Sequence, residues 1–176
     1  MEKMTVTEKD RLKQIRGLIP DVFEYKSLLY IGASPNRAEL LSAFEAAGYR
    51  ILILEAWGDN ARILAQRGHD VVHGDVRQIG KHISGKYDIV LWWHGPEHLS
   101  LIEAGFVLGR LEAYANIMVV AGSPHGKYEQ GAVDGNPHEK HLCELYPDSF
   151  RSIGWKAEAY GMPDVKGSNL IGWKRT

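Results

Sequence analysis

Four uninterrupted apolar runs limit the folds open to this chain more than anything else in it: SLLYI at 27–31, ILIL at 51–54, DIVLWW at 88–93 and NIMVVA at 116–121. A half-solvated antiparallel sheet alternates apolar and polar residues, so runs this continuous are predicted to be parallel strands covered on both faces by helices. The segments between them carry the matching period. Leu40, Leu41, Phe44 and Ala47 recur at helical spacing before Gly48, and Trp57, Ala61, Leu64 and Ala65 before Gly68, each glycine marking a helix stop. HDVVH at 69–73 reads as a short third strand, and Leu99, Ile102 and Phe106 mark a helix between the last two runs. Alternation of this kind gives a doubly wound α/β sheet with right-handed crossovers, and a nucleotide site at the carboxyl ends of its strands.

The last third changes character. Residues 122–137, GSPHGKYEQGAVDGNP, form a polar loop rich in glycine and proline. Asn136 as N-cap, Pro137 in the first turn and Glu139 as capping partner then predict a helix over 138–146. Segment 122–150 is expected to form a loop and helix over the active site. Two further strand-like runs, at 152–160 and 169–175, are joined by a turn too short for a helical crossover, so they are expected to pair antiparallel. The fold class is therefore α/β: a Rossmann-like, doubly wound, mostly parallel sheet of about seven strands with an antiparallel terminal hairpin. An N-terminal helix is expected at 6–16, within segment 1–20, with Leu12 and Ile15 on one face.

Composition narrows the function classes. A length of 176 residues fits one domain with a substantial core, and 44% hydrophobic with 24% charged residues is a globular balance. The 21 basic and 22 acidic residues are well mixed, so no face is offered to nucleic acid or to an anionic membrane. No apolar stretch reaches about 18 residues and the charged start lacks a signal-like apolar segment, so a cytoplasmic protein without membrane partners is expected. The single cysteine, Cys143, excludes an intrachain disulfide and any Cys-pair zinc motif.

Gly32 directly follows the first apolar run. A glycine there lets backbone approach a ligand, and a helix starting near Pro35 would point free N–H groups and a positive dipole end into the site. Read as G-x-G-x-x-G, however, the other two glycine positions hold Ser34 and Arg37, so the dinucleotide fingerprint fails. By itself the stretch is equally an ordinary strand-to-helix turn capped by Ser34 and Pro35. Two acids favour the ligand site. Glu55 ends the second strand, where an acid can accept both hydroxyls of a ribose. Asp75 ends the third, beside the same pocket, and can accept a hydrogen bond from an exocyclic amine such as that of adenine.

In this order and spacing, Gly32, Glu55, Asp75 and the terminal hairpin resemble the class I S-adenosylmethionine-dependent methyltransferases, over residues 25–175. That family usually carries an acid, one residue, then Gly-x-Gly-x-Gly. The equivalent stretch here is Tyr30, Ile31, Gly32, Ala33, Ser34, Pro35, Asn36, in which Gly32 alone is retained. The resemblance implies S-adenosylmethionine as cofactor, ribose binding by Glu55 and adenine-amine binding by Asp75. It also implies apolar walls around adenine from Ala56, Trp57 and Val76, and contact of Tyr30, Ala33, Ser34 and Asn36 with the rest of the cofactor. The segment WWHGPEHLSLIE at 92–103 then lies at the methionine end and the acceptor, which places His94, Glu97 and His98 near the reactive methyl group. An imidazole suits the role of base toward an acceptor hydroxyl or amine. A small-molecule acceptor is expected.

Other assignments weigh against these. His94, Glu97 and His98 also read as an exposed helix start. His94 and His98 are four residues apart, a spacing that binds zinc on one helix face, with His125, His138 and His141 downstream. Gly95 and Pro96 put His94 outside the helix, so no metal is assigned. His125, in GSPHG after the fifth strand, is a candidate substrate contact. Leu142, Cys143 and Leu145 read as packing residues, and no feature marks Cys143 as an activated thiolate. The alternative functions are a non-catalytic protein of the same fold that has lost the cofactor, and a nicotinamide oxidoreductase. The failed glycine fingerprint and the lack of a Tyr-x-x-x-Lys pair disfavour the latter.

Overall fold

The computed structural model describes residues 8–176, so Val6 and Thr7, the start of the expected N-terminal helix, lie outside the described residues. The four apolar runs and HDVVH form strands β1 (Ser27–Ile31), β2 (Arg50–Glu55), β3 (Asp70–His73), β4 (Tyr87–Trp93) and β5 (Ala115–Ser123), all parallel. The terminal hairpin, β6 (Lys156–Tyr160) and β7 (Asn169–Arg175), adds two strands, with β7 antiparallel to β5. The sheet has seven strands in the order β3-β2-β1-β4-β5-β7-β6. In register, Leu29 pairs with Leu52 and Val90, and Val90 with Val119.

Continuous apolar runs arise because alternate side chains enter two different cores. Leu28 and Tyr30 of β1, with Ile89, Leu91 and Trp93 of β4, join the core on one face. Helices α1 (Glu8–Leu18) and α2 (Glu39–Ala46) close it through Ile15, Leu41 and Phe44. Helix α3 (Gly58–Gln66) contributes Leu64 to the same core. Leu29, Ile31, Val90 and Trp92 face the other core, with Ile79 of the short helix α4 (Ile79–His82). That core is closed by Val107, Leu108 and Leu111 of α5 (Leu101–Leu111) and Phe150 of α6 (Pro147–Arg151). Trp155 packs there against Phe150, their ring centroids 5.8 Å apart.

Three local expectations are corrected. Helix α2 starts at Glu39, not near Pro35, because Ser34 closes a turn of its own: its Oγ accepts the Asn36 N–H at 3.3 Å and its carbonyl the Arg37 N–H at 3.2 Å. The loop after Gly32 is therefore non-helical to Ala38, and the α2 dipole begins further from the glycine. Second, the helix expected between the last two runs forms as α5, but Ile102 and Phe106, which marked it, face solvent, at 86% and 65% exposure, and Leu99 precedes it. The capping box of Ser100 and Glu103 sets the phase of α5 so that Ala104, Val107, Leu108 and Leu111 point inward. Third, no helix spans 138–146. Asn136 does cap, its side chain accepting the His138 N–H at 2.9 Å, but only a turn of 3₁₀ helix, Pro137–Glu139, follows. The next donors go to distant carbonyls, His141 N–H to Gln130 and the Leu142 and Cys143 N–H groups to Glu97. This segment is thereby strapped onto the turn after β4, and the helix it lacks is replaced by α6.

Candidate active site

The parallel strands deliver their carboxyl ends to one edge, and their order reverses between β1 and β4, the place where open α/β sheets form a ligand crevice. Two cavities open there. The larger, about 430 Å³, is lined by Tyr30, Gly32, Ser34, Asn36, His94, Glu97 and His98. The smaller, about 200 Å³, is lined by Glu55, Ala56, Asp75 and Val76. Gly32, His94, His98 and Glu139 border both, so the two form one bent groove.

Gly32 sits at the bend with φ +73°, and no atom lies within 4 Å of where a Cβ would stand. The backbone is thus open to a ligand on the groove side, in a conformation that side chains disfavour. Its N–H is anchored to the Leu54 carbonyl at 2.9 Å, which fixes the β1 turn against β2.

Glu55 is 5% exposed, and its Oε1 accepts the Trp57 N–H at 2.8 Å. Burial raises its pKa to about 7, with repulsion from Glu139 adding and the Trp57 N–H opposing. A carboxylate offers about four acceptor positions, so Glu55 is short of donors and suited to a pair of hydroxyls. Asp75 lies in the smaller cavity but is already engaged: it accepts the Arg77 N–H at 2.8 Å and pairs with the Arg77 guanidinium at 2.6 Å. Burial pushes its carboxyl up, yet those bonds outweigh it and the pKa is lowered.

His94 ends β4 in the left-handed region, φ 49°, a conformation that costs a non-glycine residue about 1–3 kcal/mol and clusters at ligand sites. Its N–H donates to the Gly122 carbonyl at 2.9 Å. Gly95 follows because a Cβ there would lie 1.9 Å from Trp92 Nε1. This tight turn brings His94 Nδ1 to 3.1 Å from Glu97 Oε1. Burial lowers the His94 pKa despite the facing carboxylate, leaving a neutral ring at neutral pH that donates from Nδ1. Glu97, 2% exposed, is pushed up by burial, but the His94 hydrogen bond and neighbouring histidines bring it below its ordinary value.

Some expected residues stand elsewhere. Ala33 and Trp57 line neither cavity; Ala33 is packed in the α1/α2 core, and Trp57 acts through its backbone on Glu55. His125 lines neither cavity as well, because its Nδ1 is tied to the Gly161 carbonyl at 3.2 Å and its ring lies against Tyr146. Burial raises Cys143 to about 11, so it is no nucleophile at neutral pH. Conversely, Arg11, Arg37, Tyr128, Gln130, Glu139 and His141 line the groove without having been singled out for it. His141 is one of the histidines downstream of His98, but no local pattern in the sequence marks its position. Arg11 reaches the groove only through the docking of α1.

No protein-family profile and no curated protein matches the chain in sequence. Solved structures match it in shape. An S-adenosylmethionine-dependent methyltransferase from Archaeoglobus fulgidus superposes with a TM-score of 0.70 at 14% identity, covering 97% of this chain and 95% of that one. The N-methyltransferase NodS from Bradyrhizobium japonicum gives 0.67 at 11% identity, covering 96% of each chain. Magnesium protoporphyrin IX methyltransferase from Synechocystis, solved with bound S-adenosylhomocysteine, gives 0.65 at 12% identity, covering 96% of this chain and 82% of that one. The chain has the class I methyltransferase fold, which the three neighbours named above share.

Proposed function

We propose that this protein binds S-adenosylmethionine along the bent groove and transfers its methyl group to a small-molecule acceptor. The observation that carries this reading is the open Gly32 backbone between a buried, donor-poor carboxylate, Glu55, and a buried imidazole, His94. Crystals of structural neighbours contain S-adenosylmethionine or S-adenosylhomocysteine, and their names include a porphyrin methyltransferase and an N-methyltransferase. Glu55 would accept the ribose hydroxyls, Ala56 and Val76 would flank adenine, and Asp75 would take the exocyclic amine on a lone pair left by Arg77. Tyr30, Ser34 and Asn36 would hold the amino-acid end in the larger cavity.

The cofactor, when bound, supplies an electrophilic methyl group on a sulfonium. The chain supplies alignment, worth roughly 7–11 kcal/mol when two reactants are held in line, and a place for the acceptor's proton. Among the described residues His94 Nε2 has no hydrogen-bond partner, while Nδ1 faces Glu97; the ring therefore presents a lone pair, and Glu97 fixes the tautomer. His98 borders the same space and would contact the acceptor.

Calorimetric titration with S-adenosylmethionine tests the proposal: one saturable site is expected in the wild-type chain, weakened by Glu55→Ala. Neither heat nor thermal stabilisation at millimolar cofactor would remove it. A second reading rests on the loop, where Tyr30, Ser34 and Asn36 replace an acid and two glycines: a binding protein of this fold that no longer uses the cofactor. It expects Glu55→Ala and Asp75→Ala to leave every activity of the protein unchanged.

A further inference from the structure

One cluster on the groove wall, which shares Glu97 and His98 with the proposed methyl-transfer site, brings metal-ligating side chains together. Glu97, His98 and His141 each bring one donor atom to within 4.8 Å of the others. Both histidines are oriented by the main chain: His98 Nδ1 is 3.3 Å from the Lys140 carbonyl, and His141 Nδ1 is 2.6 Å from the Tyr128 carbonyl. A carbonyl only accepts, so each Nδ1 carries the proton and each Nε2 keeps its lone pair. Metal-binding imidazoles are held in this way, the second ring nitrogen donating to a carbonyl or carboxylate.

Glu97 completes the set. Its Oε1 is taken by His94, while Oε2 is buried without a hydrogen-bond partner among the described residues. A buried carboxylate oxygen left unpaired costs free energy that a cation would offset. Glu97 Oε2 is thus a buried acceptor beside two imidazoles whose Nε2 atoms keep their lone pairs. Backbone bonds hold it together, because Leu142 and Cys143 donate their N–H groups to the Glu97 carbonyl and so fix the His141 segment against the Glu97 turn.

We propose that Glu97 Oε2, His98 Nε2 and His141 Nε2 bind a divalent first-row transition ion. The mixed nitrogen and oxygen set suits zinc, iron or cobalt and not magnesium or calcium, which take oxygen ligands. Three protein ligands leave at least one coordination position, and all three residues line the larger cavity, as in sites where the ion meets a substrate. Resting on the methyl-transfer reading, the acceptor class follows: a molecule whose hydroxyl or thiol coordinates the ion and is thereby made nucleophilic.

The test uses the untagged full chain, stripped with chelator and titrated calorimetrically with Zn²⁺. One site per chain is expected, weakened about 100-fold or more by His141→Ala and by Glu97→Gln. His69→Ala, whose ring pairs with Glu45 away from the groove, should leave it intact. In wild-type protein, where folding is not at issue, Co²⁺ should give visible ligand-field bands that Zn²⁺ abolishes. No stoichiometric zinc binding, binding unchanged in a folded His141→Ala variant, or a cobalt spectrum identical to the aqueous ion would each overturn the site. Zinc binding needs no cofactor, so a chain that takes zinc but not S-adenosylmethionine keeps this site and loses the methyl-transfer reading. The reverse result keeps methyl transfer and removes the metal.

Discussion

His94 Nδ1 and Glu97 Oε1 meet at 3.1 Å across the tight turn that ends β4, and the remaining atom of each pair, His94 Nε2 and Glu97 Oε2, is buried without a partner among the described residues. The dyad is therefore half satisfied, an arrangement that stable cores avoid and ligand sites use. In the metal-free chain at pH 7, His94 should be neutral because burial lowers its pKa, with its proton on Nδ1 facing the Glu97 carboxylate. Nitrogen-15 NMR of histidine-labelled protein reads this directly. An imidazolium pattern, or the Nε2–H tautomer, would contradict it.

Two glycines of the site should separate stability from binding. At Gly95, alanine would drive a Cβ into the Trp92 indole, and overpacking of this kind costs about 1–3 kcal/mol or more. At Gly32 there is space for a Cβ, so alanine should cost only the left-handed backbone penalty, about 1–2 kcal/mol. Its methyl group, however, would stand where the cofactor backbone contact is expected. Denaturant unfolding with parallel cofactor titration should show Gly95→Ala losing more stability and Gly32→Ala losing at least tenfold in affinity.

Glu55 should make nucleoside binding depend on pH. Two ribose hydroxyls stabilise the ionised carboxylate, which in the free protein forms only above a pKa of about 7. Adenosine, which itself does not titrate near neutrality, should bind with constant affinity above that pH. Below it, affinity should weaken toward a limit of about tenfold per unit. Glu55→Gln should bind more weakly and show no such slope.

The same residue should lower stability as pH rises. Its folded pKa of about 7 stands above the ordinary 4.5, so the folded state holds an extra proton between those values. The stabilising contribution of the protonated form is complete below about 4.5 and is lost as pH climbs through about 7, a loss of order 3 kcal/mol. Urea unfolding at pH 5 and pH 8 should therefore show Glu55→Gln gaining on the wild type at the higher pH. A constant difference between the two proteins would be inconsistent with a buried, destabilised carboxylate.

The sheet was legible because its central strands are buried on both faces, which leaves Leu28 to Ile31 or Ile89 to Trp93 no polar positions. Strand ends were legible too, and Gly32, Glu55, Asp75 and His94 border the groove at one edge of the sheet. Loops were misread where a local signal met a distant partner. Asn136 and Pro137 start a turn as their chemistry dictates, but the carbonyls of Gln130 and Glu97 capture the donors that a helix over 138–146 would need. The position of His141 beside Glu97 and His98 follows from that capture, and no spacing within the sequence encodes it. His125 shows the opposite case: a strand-end residue at the expected edge, drawn away from the groove by the Gly161 carbonyl of the hairpin turn.

The central claim is that Gly32, Glu55 and His94 line one cofactor groove. A crystal structure of the protein with S-adenosylhomocysteine tests it most directly. The expected result places the ribose hydroxyls on Glu55, the chain of the cofactor against the open Gly32 backbone, and the sulfur in the larger cavity on the side of His94. A ligand bound elsewhere, or a groove left empty at saturating S-adenosylhomocysteine, would contradict it.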